Sequence, residues 1–198
     1  MKNYLVFDIE IIKTIKEVQE ELKLADERMS FGHPQVMGFA VGVLYDSSKN
    51  IFRAFKDANE FANYLLDFKG ILVSFNGIRF DLPCLLKHID IDIYHALQKK
   101  PHLDMLAYFY EKVNGKFRVS LDNLAKNTIN KGKTGNGADA PLLFRQGKLG
   151  ELIDYCQNDV IITKEVFEFG LEHDSLNYFD SQTGKVESLE VDFKKWLN

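Results

Sequence analysis

Two periodicities divide this chain. Residues 4–9 form a near-continuous apolar run of strand length that leads into Asp8 and Glu10, and they read as a buried strand. Residues 36–45 and 51–55 read as two more strands. They are parted by Asp46-Ser47-Ser48-Lys49-Asn50, whose side chains favour a turn, so the pair is expected to be a hairpin. Between the first two strands, residues 11–27 carry partial helical spacing and a run of charges that ends at residues 30–34. That segment is expected to be a mobile excursion beside the end of the first strand.

Helical spacing dominates downstream. Asp57 can cap a helix through residue 68, with Phe61, Leu65 and Phe68 on one face and Gly70 as its stop. Residues 71–75 are again continuously apolar and are followed by a loop and a helix over 82–88, an alternation that implies parallel pairing. Residues 102–103 suggest a short fifth strand, with Asp104 opening and capping a helix to residue 110. Ser120 can cap residues 121–126, residues 130–137 read as a loop, and Asp139-Ala140-Pro141 carries a helix-start signature. The last long helix covers residues 149–169, with Leu149, Leu152, Ile153, Cys156, Val160 and Phe167 as its apolar stripe. Residues 177–180 and 185–191 form a terminal hairpin, and Trp196 is a packing anchor. The sum is an α/β protein with a mixed five-stranded sheet, three strands antiparallel and two parallel, flanked by helices. One domain over 1–175 is expected, with 176–198 as a hairpin appendage packed on it.

A length of 198 residues fits one such domain, and ordinary apolar and charged fractions exclude a disordered chain. No apolar run reaches membrane-spanning length and the start runs straight into a strand, so a cytoplasmic protein is expected. The net charge of −4 argues against coating nucleic acid with a general basic surface. It leaves room for an acidic pocket with local basic help. Lys126, Lys131, Lys133, Arg145 and Lys148 concentrate positive charge around the glycine-rich loop, either as phosphate contacts or as a solvated surface. Cys84 and Cys156 lie in apolar helical patterns and read as small buried thiols. The five histidines have no zinc-ligand spacing, and Gly132-x-x-Gly135-x-Gly137 follows no strand and lacks a Gly-Lys-Ser/Thr ending.

The candidate chemistry lies in three separated motifs: Asp8-x-Glu10, Asp81 at the end of Asn76-Gly77-Ile78-Arg79-Phe80-Asp81, and Tyr155-x-x-x-Asp159. Residues two apart on a strand share a face, so Asp8 and Glu10 can address one point. Tyr155 and Asp159 are one helical turn apart, separated by only ~40° about the axis, whereas Asp154 points away. Each motif alone has an ordinary reading: a solvated acid pair, a helix cap at Asp81, a local hydrogen bond on a helix. Together, four acids at the rim of a core make sense as ligands for divalent metals, because unpaired buried carboxylates repel one another and protonate.

These motifs resemble the three exonuclease motifs of the DEDD superfamily, which has a ribonuclease H-like fold; the likeness covers residues 4–169. A tyrosine four residues before the last aspartate is similar to the tyrosine subclass, since the histidine subclass would carry its histidine where this chain has Asp154. Within that subclass the chain looks like the proofreading domains of B-family DNA polymerases, and more like stand-alone or helicase-associated exonuclease domains. The pattern of residues 119–125 followed by Gly132 to Gly137 contributes to that likeness.

The resemblance implies 3′→5′ hydrolysis of nucleic acid, single-stranded DNA being favoured, with a place in DNA repair. It implies Asp8, Glu10, Asp81 and Asp159 as ligands of two divalent ions, Mg²⁺ or Mn²⁺, and Tyr155 as the group that orients the attacking water. Asn76 and Phe80 would shape the wall that receives the terminal nucleotide, and Lys131 and Lys133 would touch phosphate. A separate helicase or polymerase chain is the partner implied, and no membrane. Two alternatives stand beside this one: a nuclease-like recruitment subunit of a helicase or repair assembly, and an endonuclease or resolvase on the same fold.

Overall fold

The computed structural model describes residues 3–115, 119–132 and 137–198. The central strand, β1 (Tyr4–Glu10), pairs antiparallel with β2 (Val41–Asp46), and β2 pairs antiparallel with β3 (Ile51–Phe55). On its other side β1 pairs parallel with β4 (Ile71–Ser74), which pairs parallel with β5 (His102–Asp104). The order β3-β2-β1-β4-β5 is the expected mixed sheet. Both connections that return parallel to the sheet pass through helices: α3 (Ala58–Asp67) before β4, and α4 (Asp81–Leu85) with α5 (Ile91–Gln98) before β5.

Strand alternation splits the core in two. Leu5, Phe7 and Ile9 pack on the face covered by α3 and α4, with Phe7 edge-on to Phe61 at 6.0 Å. Val6 packs on the opposite face, against α6 (Met105–Lys112), α7 (Leu121–Ile129) and the long α9 (Leu149–His173). The same alternation turns Asp8 and Glu10 toward α9. The α9 stripe passes the expected Phe167 and continues to Gly170, where a Cβ would meet the ring of Phe193 at 2.6 Å.

Three local expectations need correction. Residues 36–37 are not strand: Pro34 opens a one-turn helix, α2 (Pro34–Met37), which ends at Gly38 with φ +74°, so β2 begins only at Val41. Proline fixes the first helical φ and glycine alone takes the left-handed turn cheaply. The excursion before it holds α1 (Ile15–Leu22), closed by a reciprocal Thr14–Glu17 capping box, and a 3-10 helix over Glu27–Gly32. Helix α5 has no counterpart in the sequence reading.

The terminal hairpin is present as β6 (Ser175–Asp180) and β7 (Lys185–Glu190), a separate two-stranded sheet. It is tied to α7 by reciprocal bonds: Thr128 Oγ1 donates to Asn177 O and accepts from Asn177 N–H, and Asn123 does the same with Phe179. A last turn, α10 (Lys194–Leu197), brings Trp196 against the α9-side core. Among the described residues no helix is long and apolar enough to cross a membrane.

Candidate active site

Asp8, Glu10, Asp81, Tyr155 and Asp159 all line one open cleft of about 400 Å³, joined there by Asn76, Phe80 and Asp122. Three different kinds of backbone deliver them. Asp8 and Glu10 stand two apart on β1, whose register with β2 (Asp8↔Val43, Glu10↔Val41) leaves them no freedom to slip. Tyr155 and Asp159 are one turn apart on α9, whose Cys156 tucks beneath β1: its thiol donates to Asp8 O at 3.4 Å and lies 3.7 Å from Asp8 Oδ2. Asp81 is the first residue of α4. Its Oδ1 accepts from Ile9 N–H at 3.2 Å, beyond the point where β4 leaves the side of β1. The Asp81 carboxylate is therefore bonded to the peptide between the other two acids and is not the cap of α4, whose N-cap position is Phe80.

The loop that presents Asp81 is held by side chains from the ends of β4 and β5. Asp104 caps α6 as expected, with Oδ1 accepting from Leu106 and Ala107 N–H at 3.1 and 3.2 Å. The same carboxylate also takes Asn76 N–H on Oδ1 at 2.9 Å and Ile78 N–H on Oδ2 at 3.1 Å. Ser74 Oγ accepts from Gly77 N–H at 3.1 Å and is bonded to His102 Nε2 at 2.8 Å. Gly77 packs so tightly that a Cβ there would stand 2.4 Å from Ser74 Oγ, and Asn76 turns the chain with φ +73°. The capping half of Asp104's role is legible in the sequence and the other half is not, because a loop lying 26–28 residues earlier leaves no local signature.

Electrostatics follow from burial. Glu10, Asp81 and Asp159 are each about 5% exposed or less. The Tyr155 phenol is pushed well above its ordinary range, first by burial and then by the negative charge of Asp159, Glu10 and Asp8. Cys156 is pushed up by burial and by Asp8, Glu10 and Asp81, so both groups remain protonated in the working pH range. One candidate oxygen each from Asp8 and Glu10 lies within 4.8 Å of the other and of Cys156 Sγ. The carboxylates on this open cleft are oxygen donors of the kind that divalent cations take.

The basic segment behaves differently. Lys131 does not line the cleft; it pairs with Glu165 on α9 at 2.6 Å. Lys126 pairs with Asp122 at 2.7 Å, Arg145 with Glu17, and Lys148 with Glu151 at 3.3 Å. Lys133 lies outside the described residues. Asp154 is exposed and away from the cleft, as expected.

The family model of the RNase H superfamily designated RNase_H_2 matches residues 27–169. The chain belongs to the RNase H superfamily. Its fold is that of RNase H-like nucleases, and it superposes on the family B DNA polymerase of the hyperthermophilic archaeon Pyrobaculum calidifontis with a TM-score of 0.58 at 16% identity. That match covers 86% of this chain and 25% of the polymerase, so the chain spans about a quarter of that relative's length. A slighter likeness, TM-score 0.48 at 12% identity, is to E. coli Exonuclease I in complex with a dA16 oligonucleotide, over 87% of this chain and 41% of that one. No curated protein sequence matches the chain.

Proposed function

We propose that this RNase H superfamily member is a metal-dependent 3′→5′ exonuclease of the tyrosine subclass, acting on single-stranded nucleic acid with DNA favoured. The observation that carries the reading is the convergence of four carboxylates and a phenol, from a strand, a helix start and a second helix, on one open cleft. Asp8, Glu10, Asp81 and Asp159 would hold two divalent ions, Mg²⁺ or Mn²⁺. When bound, such ions neutralise charge on the phosphoryl group and make water nucleophilic at neutral pH.

The chain's own residues supply the rest. Tyr155, held protonated by burial and its acidic neighbours, is a hydrogen-bond donor and not a base. It orients the attacking water by donating its O–H while the carboxylates accept from the same water. Asn76 and the ring of Phe80 wall the cleft where a terminal nucleotide would be received. Gly137 lines the same cleft beside the phenol: a Cβ there would stand 3.6 Å from the Tyr155 hydroxyl. Recruitment by a separate helicase or polymerase, and a place in DNA repair inside the cytoplasm, fit this reading.

The test is a time course on 5′-labelled single-stranded DNA and RNA with Mg²⁺, Mn²⁺ or chelator, comparing the wild type with Asp8→Ala and Asp159→Ala. A ladder shortening from the 3′ end, with metal and wild type only, is expected. Cleavage of a circular strand would instead favour an endonuclease. Folded but wholly inactive wild type would favour a recruitment subunit.

A further inference from the structure

Beside the carboxylate cleft lies a second groove, of about 480 Å³, between the loop that carries Asn76 and Arg79 and the length of α6 with its C-terminal turn. It is lined by Asn76, Arg79, Tyr110, Glu111, Asn114 and Gly115 among others, and it meets the carboxylate cleft at Asn76, which lines both. Its size falls within the ~300–1,000 Å³ typical of ligand pockets.

The groove has unused chemistry. Arg79 is exposed and, among the described residues, makes no hydrogen bond or ion pair. The other described arginines are all engaged: Arg28 with Asp26, Arg145 with Glu17, and Arg53 over the rings of Phe55 and Tyr64. The Tyr110 ring is 42% exposed on the opposite wall. Behind it the chain turns through two consecutive left-handed residues, Asn114 at φ +54° and Gly115 at φ +71°, with Gly115 N–H bonded to Tyr110 O at 2.9 Å. The end of the Tyr110 ring rests on that turn: a Cβ on Gly115 would come within 3.2 Å of the Tyr110 hydroxyl. Asp104 lines the groove too, but its carboxylate is occupied by four backbone N–H groups.

An unpaired guanidinium, an exposed aromatic face and two amide side chains along one groove form the combination that holds a single strand: phosphate on the cation, base on the ring, amides free for base edges. We propose that this groove is a second nucleotide subsite, holding the strand upstream of the bond that the carboxylates attack, with Arg79 on a phosphate and Tyr110 stacked on a base. This rests on the reading of the neighbouring cleft as a phosphodiester site. Glu111 lines the groove as well, so the phosphate belongs on the Arg79 side and Glu111→Gln is expected to tighten binding about 2-fold.

The test is binding, by fluorescence anisotropy, of 5′-fluorescein oligothymidylates of three and ten nucleotides to the Asp159→Ala protein with Mg²⁺, so that the strand survives. Adding Arg79→Ala is expected to weaken the ten-mer about 5–10-fold, to weaken the three-mer distinctly less, and to reduce the slope of log affinity against log salt by roughly 0.7, one phosphate's share on a single strand. Tyr110→Ala is expected to cost the ten-mer about 5-fold or more, with Tyr110→Phe restoring it. Equal losses at both lengths, no loss at either, or no binding of the ten-mer at all would each overturn the subsite. The two readings fail separately. Arg79-dependent binding by a protein that never shortens DNA would remove the exonuclease and keep the groove; shortening by wild type with Arg79-independent binding would do the reverse.

Discussion

Asp8 and Asp81 serve one cleft but are held in opposite ways. Asp8 stands on the central strand, in main-chain register with Val43 of β2 and two residues beyond the last β1–β4 pair, so its place is set by backbone pairing more than by the identity of neighbouring side chains. Asp81 follows a loop of six residues, 75–80, in which the N–H groups of Asn76, Gly77 and Ile78 are bonded not to another strand but to the side chains of Asp104 and Ser74. The difference is one of vulnerability. A site built on sheet register fails only when the sheet fails, whereas a site hung from side chains can be unhooked by one substitution away from the chemistry.

That contrast can be broken most forcefully at Asp104. Asp104→Ala strips acceptors from four N–H groups in a buried setting and should cost about 3–5 kcal/mol, read by urea unfolding. Asp104→Ser sharpens it. Serine still caps α6 but cannot span to Asn76 and Ile78, so part of the stability should return while the metal concentration for half-maximal activity stays raised, by ~10–100-fold. If Asp104→Ser behaves as wild type in metal activation, the loop is not held from β5.

Next in size is acid. Burial lowers the His102 pKa from 6.5 to about 4, against a smaller raising effect of Asp104. A folded-state pKa below the unfolded one means that the unfolded chain binds the proton first. This contribution to stability is therefore present above pH 6.5 and lost as the pH falls toward 4, up to about 3 kcal/mol, which an unfolding series over that window measures. His102→Asn should flatten that limb whatever it does to stability at neutral pH. Ser74→Ala, which orphans Gly77 N–H and His102 together, should cost about 1–3 kcal/mol. Smallest is Arg145→Ala, which unties α8 (Ala140–Arg145) from α1 and leaves the Thr14–Glu17 capping box in place. Both partners are more than a third exposed, so less than ~1 kcal/mol is expected, with no change in metal activation.

The strand-borne half of the cleft was the more legible in sequence, for the same reason that it is robust. A period of two places Asp8 with Glu10 and a period of 3.6 places Tyr155 with Asp159, and both are facts of local backbone. The fold followed from the same periodicities, with failures where they mislead. Residues 91–98 stay unassigned from sequence because Ile91-Asp92-Ile93-Tyr94 lacks helical spacing, yet Asp90 caps them into α5 by accepting Asp92 N–H at 2.7 Å. Residues 36–37 look like the start of a strand and are a helical turn, because Pro34 and Gly38 dictate it. The pairing of Lys131 with Glu165, the bonds of Asp104 to Asn76 and Ile78, and the position of Cys156 beneath Asp8 join residues distant in sequence. Nothing in the sequence near one partner announces the other.

Cys156 gives the molecule a built-in clock. The chain has two cysteines, both free and fully buried: Cys156 under β1, and Cys84 in α4, the helix that Asp81 opens. A thiol reagent can reach either sulfur only when the structure around it parts, so the rate of labelling times how often each half of the cleft breathes. Should the Cys84 side open faster than the Cys156 side, the site comes apart from its loop inward, and the order would be recorded without any added probe.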